Sequence, residues 1–156
     1  MKPSRVLAVA AWLTVSATAG RADFADGLAA FDAGDYPAAF AEWRALAEQG
    51  DLEAQVALAG LYLSGHGTRP DLAEAIRWYR RAAEGGDAVA QLNLGDLYGR
   101  GEGVPRDLVG AYFWLSLAAE QGRAWPDLRR QEIAAQMTAA QLAEAKARLE
   151  AWRQSH

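Results

Sequence analysis

The sequence predicts an all-α fold, a short α/α solenoid of helix-turn-helix repeats closed by a C-terminal capping helix. Three observations carry that expectation. A 36-residue unit is written twice, at residues 51–86 and 87–122, and the copies align without a gap at 16 identical positions. Within each unit the apolar residues recur at helical spacing. Between the two helical halves lies a glycine-rich turn ending in Pro70-Asp71 in one copy and Pro105-Arg106-Asp107 in the other. The identities are small, apolar or turn-forming residues, which is what stacked supersecondary units need.

The elements follow in chain order. Residues 1–5 are a short basic start, and residues 6–15 are almost wholly apolar. Ala17-Thr18-Ala19 fits a small-x-small cleavage site, and Gly20-Arg21-Ala22 is a second candidate. Residues 1–22 are therefore expected to be a cleaved secretory signal peptide. A membrane anchor is the alternative, but ten apolar residues fall short of the ~20 that span a bilayer. No cysteine follows the run, which excludes bacterial-type lipid attachment, and no later stretch has the length and apolarity of a membrane helix.

Residues 23–50 read as a divergent first unit. Phe24, Leu28 and Phe31 are expected on the inner face of its first helix. Its turn, Gly34-Asp35-Tyr36, is shorter than the later ones, and Pro37 sits where a first-turn proline is tolerated. In residues 51–86, Ala54, Leu58, Leu61 and Tyr62 mark one helix face, and Leu72, Ala75, Tyr79, Ala82 and Ala83 mark a second. Gly65 and Gly67, like Gly101 and Gly103, stop the first helix and permit positive φ. Asp71 and Asp107 can cap the next one. A two-helix unit cannot bury its own apolar face, so neighbours must stack.

Residues 123–156 read as a degenerate unit and a cap. Pro126 and Asp127 open a helix carrying Leu128, Ile133 and Met137, and Thr138 with Gln141 forms a capping box. Leu142, Ala145, Leu149 and Trp152 then make a narrow apolar stripe. Eight helices are expected, at 23–33, 36–49, 51–64, 71–85, 87–100, 107–121, 125–136 and 139–153. Where the first repeat has Arg77 and Arg81, the second has Phe113 and Leu117, a charged strip turned apolar. The 139–153 helix is expected to cover that strip; the competing reading leaves it open for a partner or a second copy.

Composition narrows the chemistry. The 156 residues include no cysteine and two histidines. Removal of Lys2, Arg5 and Arg21 with the signal leaves 13 basic against 20 acidic residues, a net charge of −7. Residues 23–120 carry 7 basic and 16 acidic side chains, which argues against nucleic acid as a partner. Metal sites built on Cys or on several His are ruled out by counting. His66 lies in a turn whose counterpart is Glu102, and His156 is the last residue, so no triad suggests itself. Ser64 and Ser116 occupy positions held by Arg100 and Arg80 in the other copy, and both are expected to be exposed. The turn glycines lack the preceding strand and the lysine of a phosphate-binding loop. No catalytic, cofactor-binding or metal-binding residue is assigned.

The run Ala-Gln-x-x-Leu, Leu-Tyr, Gly-x-Gly, Asp-Leu-x-x-Ala-x-x-Trp and Ala-Ala-Glu-x-Gly across residues 51–122 resembles the Sel-like repeat (SLR) family, within the tetratricopeptide class of α/α solenoids. The resemblance implies an adaptor or scaffold in protein–protein interaction, with no shared catalytic residues. It also implies that first helices line a concave face. The candidate partner-binding residues there are Glu53, Val56, Ala57, Gly60 and Leu63, then Val89, Leu92, Asn93, Asp96 and Arg100. Some secreted relatives carry disulfides between repeat helices; this chain, without cysteine, departs from them. The expectation is a non-enzymatic periplasmic or secreted module that binds a peptide or partner helix. A cell-wall (glycan)-associated accessory protein and a hydrolase are the alternatives.

Overall fold

The computed structural model describes residues 23–122 and 124–156, so the expected signal peptide lies outside the described residues. These form eight helices: α1 (Phe24–Asp32), α2 (Tyr36–Glu48), α3 (Leu52–Ser64), α4 (Leu72–Glu84), α5 (Ala88–Arg100), α6 (Leu108–Glu120), α7 (Ala124–Ala134) and α8 (Ala139–Ser155). The repeat helices start one residue later than expected because an aspartate stands outside each as its cap. Asp51, Asp71, Asp87 and Asp107 accept backbone N–H bonds from Ala54, Glu74, Ala90 and Gly110 at 2.8–3.1 Å. Each satisfies a donor that the first turn would leave unpaired. The Thr138–Gln141 capping box closes reciprocally at the start of α8. The seventh helix ends at Ala134, two residues before its expected end, and Met137 lies in the bend beyond it.

From α1 through α7, consecutive helices pack on one another. Small residues make the crossings close: Ala54, Ala75, Ala82, Ala90, Ala111 and Ala118 are fully buried. Leu58 and Leu94, at the same repeat position, are buried beside them. Tyr98 is only half-buried; its hydroxyl reaches out and accepts from Arg80 at 2.8 Å.

The ends depart from the repeat. In α1, Leu28 is 45% exposed, and the inner position belongs instead to Gly27. Trp43 lies against that glycine, where a Cβ would sit 2.3 Å from the indole nitrogen. That nitrogen donates to the Phe24 carbonyl at 3.2 Å. In α7, Ile133 is buried but Leu128 is 55% exposed, because no following first helix packs on that side.

α8 packs along α6 rather than against α7. Phe113 and Leu117 are buried, in one apolar cluster with Leu149 and Trp152. The Phe113 and Trp152 rings meet edge-on at 5.6 Å, and the Arg148 guanidinium lies 4.7 Å above the Phe113 ring. Arg153 of α8 pairs with Glu120 at the end of α6. In α4, by contrast, Arg77 and Arg81 stay exposed and lie over the Trp78 ring at 4.8 and 5.0 Å. Enclosure of α6 by α5, α7 and α8 also corrects the expectation for Ser116. It is fully buried, and its hydroxyl donates to the Tyr112 carbonyl at 2.7 Å.

Candidate functional site

The side presented by α1, α3 and α5 carries three hollows arranged about α3. The first, about 540 Å³, has Phe24, Leu52, Val56, Ala57 and Val89 as walls and Glu53 and Asp87 as its acidic residues. The second, about 350 Å³, shares Ala57 with the first and adds Phe31, Trp43, Gly60, Leu61, Ser64 and His66. The third, about 260 Å³, lies between Leu63 of α3 and Asn93, Asp96 and Arg100 of α5, with Tyr79, Leu97 and Glu102 completing it.

The expected groove residues thus fall into three groups. Glu53, Val56 and Val89 meet in the first hollow, Gly60 lies in the second, and Leu63, Asn93, Asp96 and Arg100 surround the third. Leu92 lines none of them. It packs against the cluster of Ala111, Leu115 and Ile133, because α7 docks on α5 and α6 there. Leu63 and Arg100 are not repeat counterparts: they stand at the positions of Gly99 and Ser64.

The third hollow is polar and held in place. Asp96 accepts from Arg129 of α7 at 2.8 Å, and Arg129 pairs with Glu132 as well. The hydrogen bond to Asp96, and then the other neighbouring carboxylate, hold the Arg129 guanidinium above its ordinary pKa, so it is charged throughout the accessible range. Arg100 and Glu102 lie 3.7 Å apart. The Asn93 amide donates to the Val89 carbonyl at 2.8 Å, which leaves its side-chain oxygen directed to other donors. Tyr79 is buried beneath, and burial pushes its hydroxyl pKa up. Arg129 escaped sequence reasoning because it sits 33 positions from Asp96, on a helix whose repeat pattern has decayed.

In the second hollow Ala57 and Gly60 were expected, but the wall of Phe31, Trp43 and His66 was missed for a different reason. His66 is exposed, as a turn histidine should be, yet its ring stacks on Tyr36 at 4.3 Å and meets Phe31 edge-on at 6.2 Å. The turn is pinned there by Gly67, with φ 75°; a Cβ on it would lie 2.3 Å from the Tyr36 carbonyl oxygen. Only a glycine both takes that φ without strain and lets the backbones approach. The signal was present as Gly-x-Gly, but the surface it touches belongs to the preceding unit.

Other chemistries find little support among the described residues. No group of three or more His, Asp or Glu is placed to hold a metal ion. Trp43, Trp78 and Trp114 are core residues, and Trp125, 72% exposed, is the openly presented indole among the described tryptophans. Among the described residues, no helix is long and apolar enough to cross a membrane.

The Sel1 repeat family model matches residues 52–87 and 88–122. The chain carries two Sel1 repeats. Among solved structures, it is similar to a protective antigen present in uropathogenic Escherichia coli strains, described as displaying an SLR fold. Identity there is 31% and the TM-score 0.76, over 81% of this chain and 28% of that one. It is also similar to a Sel1 repeat protein from Oxalobacter formigenes, with 32% identity and a TM-score of 0.65, over 69% of this chain and 44% of that one. The chain therefore spans less than half the length of either protein. No curated protein sequence matches it. The Sel1 repeats and the neighbours' fold make this an all-helical repeat structure.

Proposed function

We propose that the protein is an exported, non-catalytic interaction module that receives an extended peptide or a partner helix in the groove about α3. The observation that carries this reading is the series of three hollows on one side. Their walls are apolar at Val56, Ala57 and Leu61, and polar groups stand beside them at Glu53, Asn93 and Arg100. An extended chain can seat side chains in successive hollows, and an amphipathic helix can lay one face along them. The excess of 16 acidic over 7 basic residues in 23–120 repels a phosphate backbone and favours a polypeptide. Export rests on the basic start, the short apolar run and the small residues before Asp23, the pattern of a cleaved secretory signal.

The test is a photoreactive amino acid placed at position 93 in the producing cell, with position 146 on the exposed side of α8 as control. A polypeptide trapped from 93 and not from 146, on a processed chain found in the periplasmic or extracellular fraction, is the expected result. Replacing Asn93 and Arg100 together by Ala should lower the captured amount at unchanged helical content. Unchanged capture by that double variant removes the groove assignment.

A further inference from the structure

We infer that the hollow over Gly60 is an anchor subsite for one large apolar side chain of the partner polypeptide, with a Lys or Arg beside it meeting Glu53. The inference rests on the groove reading above and gives its partner a chemistry. It begins with the cost of Gly60 itself. A glycine inside a helix loses more backbone freedom on folding than any other residue, so a helix interior disfavours it unless packing demands it. Packing demands it elsewhere. A Cβ at Gly27 would lie 2.3 Å from Trp43, one at Gly95 would lie 2.7 Å from Leu115, and one at Gly99 would lie 2.8 Å from Ile133. At Gly60, well inside α3, an added Cβ meets nothing within 4 Å. The fold has no use for a glycine there.

What the missing side chain does is leave the hollow open. The same repeat position holds Asp96 in the next unit, where the space is filled and ion-paired to Arg129. Around Gly60 the walls are Phe31, Trp43, Ala57, Leu61 and the ring of His66. The stack of His66 on Tyr36 sets that wall in place before anything binds. The one hydroxyl present, on Ser64, donates to the Leu61 carbonyl and accepts from the His66 N–H, both at 3.4 Å. A hollow of about 350 Å³ so lined suits an aliphatic or aromatic side chain with no polar end.

Charge supplies the flank. The adjoining hollow, reached across Ala57, carries Glu53 and Asp87, and the surrounding body has more than twice as many acidic as basic residues. A partner segment with a basic residue next to its apolar anchor matches both features, and an acidic one is repelled. A free apolar solute would fill one hollow and leave the neighbouring two unused, which favours a polypeptide occupant.

The probe is the acetylated and amidated pentapeptide GKFKG, titrated into the isotope-labelled protein while the amide resonances of Gly60, Ser64 and His66 are followed. GKFKG should shift these resonances, and GKAKG should bind about tenfold more weakly, the loss expected from leaving a ring unburied. GEFEG should bind about threefold more weakly, the size of an exposed charge effect. Gly60→Leu fills the hollow from α3 itself and favours the helix, so it should abolish the GKFKG shifts while raising the thermal midpoint. Gly60→Ala, the smaller change, should fold as well and weaken GKFKG measurably. Equal binding of GKFKG and GKAKG, or undiminished binding to both variants, overturns the anchor. Capture from position 93 that survives unchanged in Gly60→Leu overturns the anchor and leaves the groove standing. No capture from the unmodified protein overturns both.

Discussion

At the scale of single residues, two buried glutamines show how little separates a satisfied site from an orphaned one. Gln55 and Gln91 hold the same repeat position, and each donates to the carbonyl of Ala47 or Ala83 at 3.1 Å. The side-chain oxygen of Gln91 then accepts from Gln121 at 3.0 Å, whereas that of Gln55 has no partner. The reason is one substitution: Gly85 stands where the next unit has Gln121, and a glycine has no amide to offer. Gln121→Ala should therefore cost about 1–3 kcal/mol in urea unfolding, the penalty for stranding a buried acceptor. The glycines divide in the same residue-specific way. Gly95→Ala drives a methyl against Leu115, itself fully buried, and should cost about 1–3 kcal/mol. Gly60→Ala meets nothing and should stabilise by about 0.5–1 kcal/mol. The repeat alignment placed both glutamines in register but gave them no role. A polar residue declares its partners only once its burial and its neighbours across the stack are known.

At the scale of elements, α8 is the helix that behaves least like its predecessors. Its stripe of Leu142, Ala145, Leu149 and Trp152 was legible from spacing, and so was the apolar strip on α6 that it covers. The two were complementary surfaces with no other evident use. Leu149→Ala should cost about 2–5 kcal/mol, since the side chain is buried between the helices. Thr138→Ala should cost about 1 kcal/mol by removing the capping box. Deleting residues 138–156 should abolish cooperative unfolding or produce self-association in sedimentation, because Phe113 and Leu117 become exposed together; an equally stable monomer would exclude the covering role. Periodicity failed at the opposite end. Phe24 and Phe31 do pack inward on the Trp43 ring, but Leu28, which shares their spacing, is exposed because Trp43 reaches the inner face through Gly27. Spacing finds a helix face; it does not say how many faces have neighbours.

At the scale of the whole molecule, the continuous core from Trp43 to Leu149 should make unfolding one transition. Leu94→Ala, at the middle of the stack, should cost about 2–5 kcal/mol and shift tryptophan fluorescence and circular dichroism together. Separate midpoints would mean that the units melt independently. Alkaline pH offers a second reading of the same core. Burial raises the Tyr79 pKa above its ordinary 10.0, so the folded state holds that proton longer than the unfolded chain does. The tyrosine's contribution is complete below pH 10 and is lost as pH climbs from there through the folded value. Tyr79→Phe should flatten that alkaline decline. The groove was only partly visible in advance for a reason that belongs to this scale. Residues such as Val56, Asn93 and Asp96 follow from one helix repeat, but a hollow is defined across helices, by Phe31, Trp43, His66 and Arg129 arriving from elsewhere. The closure by α8 has a corollary about where units can be added. Nothing in a stacking unit says when to stop, and a unit with Arg77 and Arg81 invites no lid. A copy of residues 51–86 inserted ahead of 87 would lengthen the stack and leave its lid undisturbed. The same copy inserted behind 122 would part Phe113 and Leu117 from their cover and set two arginines beneath α8. Where the stack ends, whatever number of units precedes it, is thus written at two side chains, as a full stop is written once and not in every word.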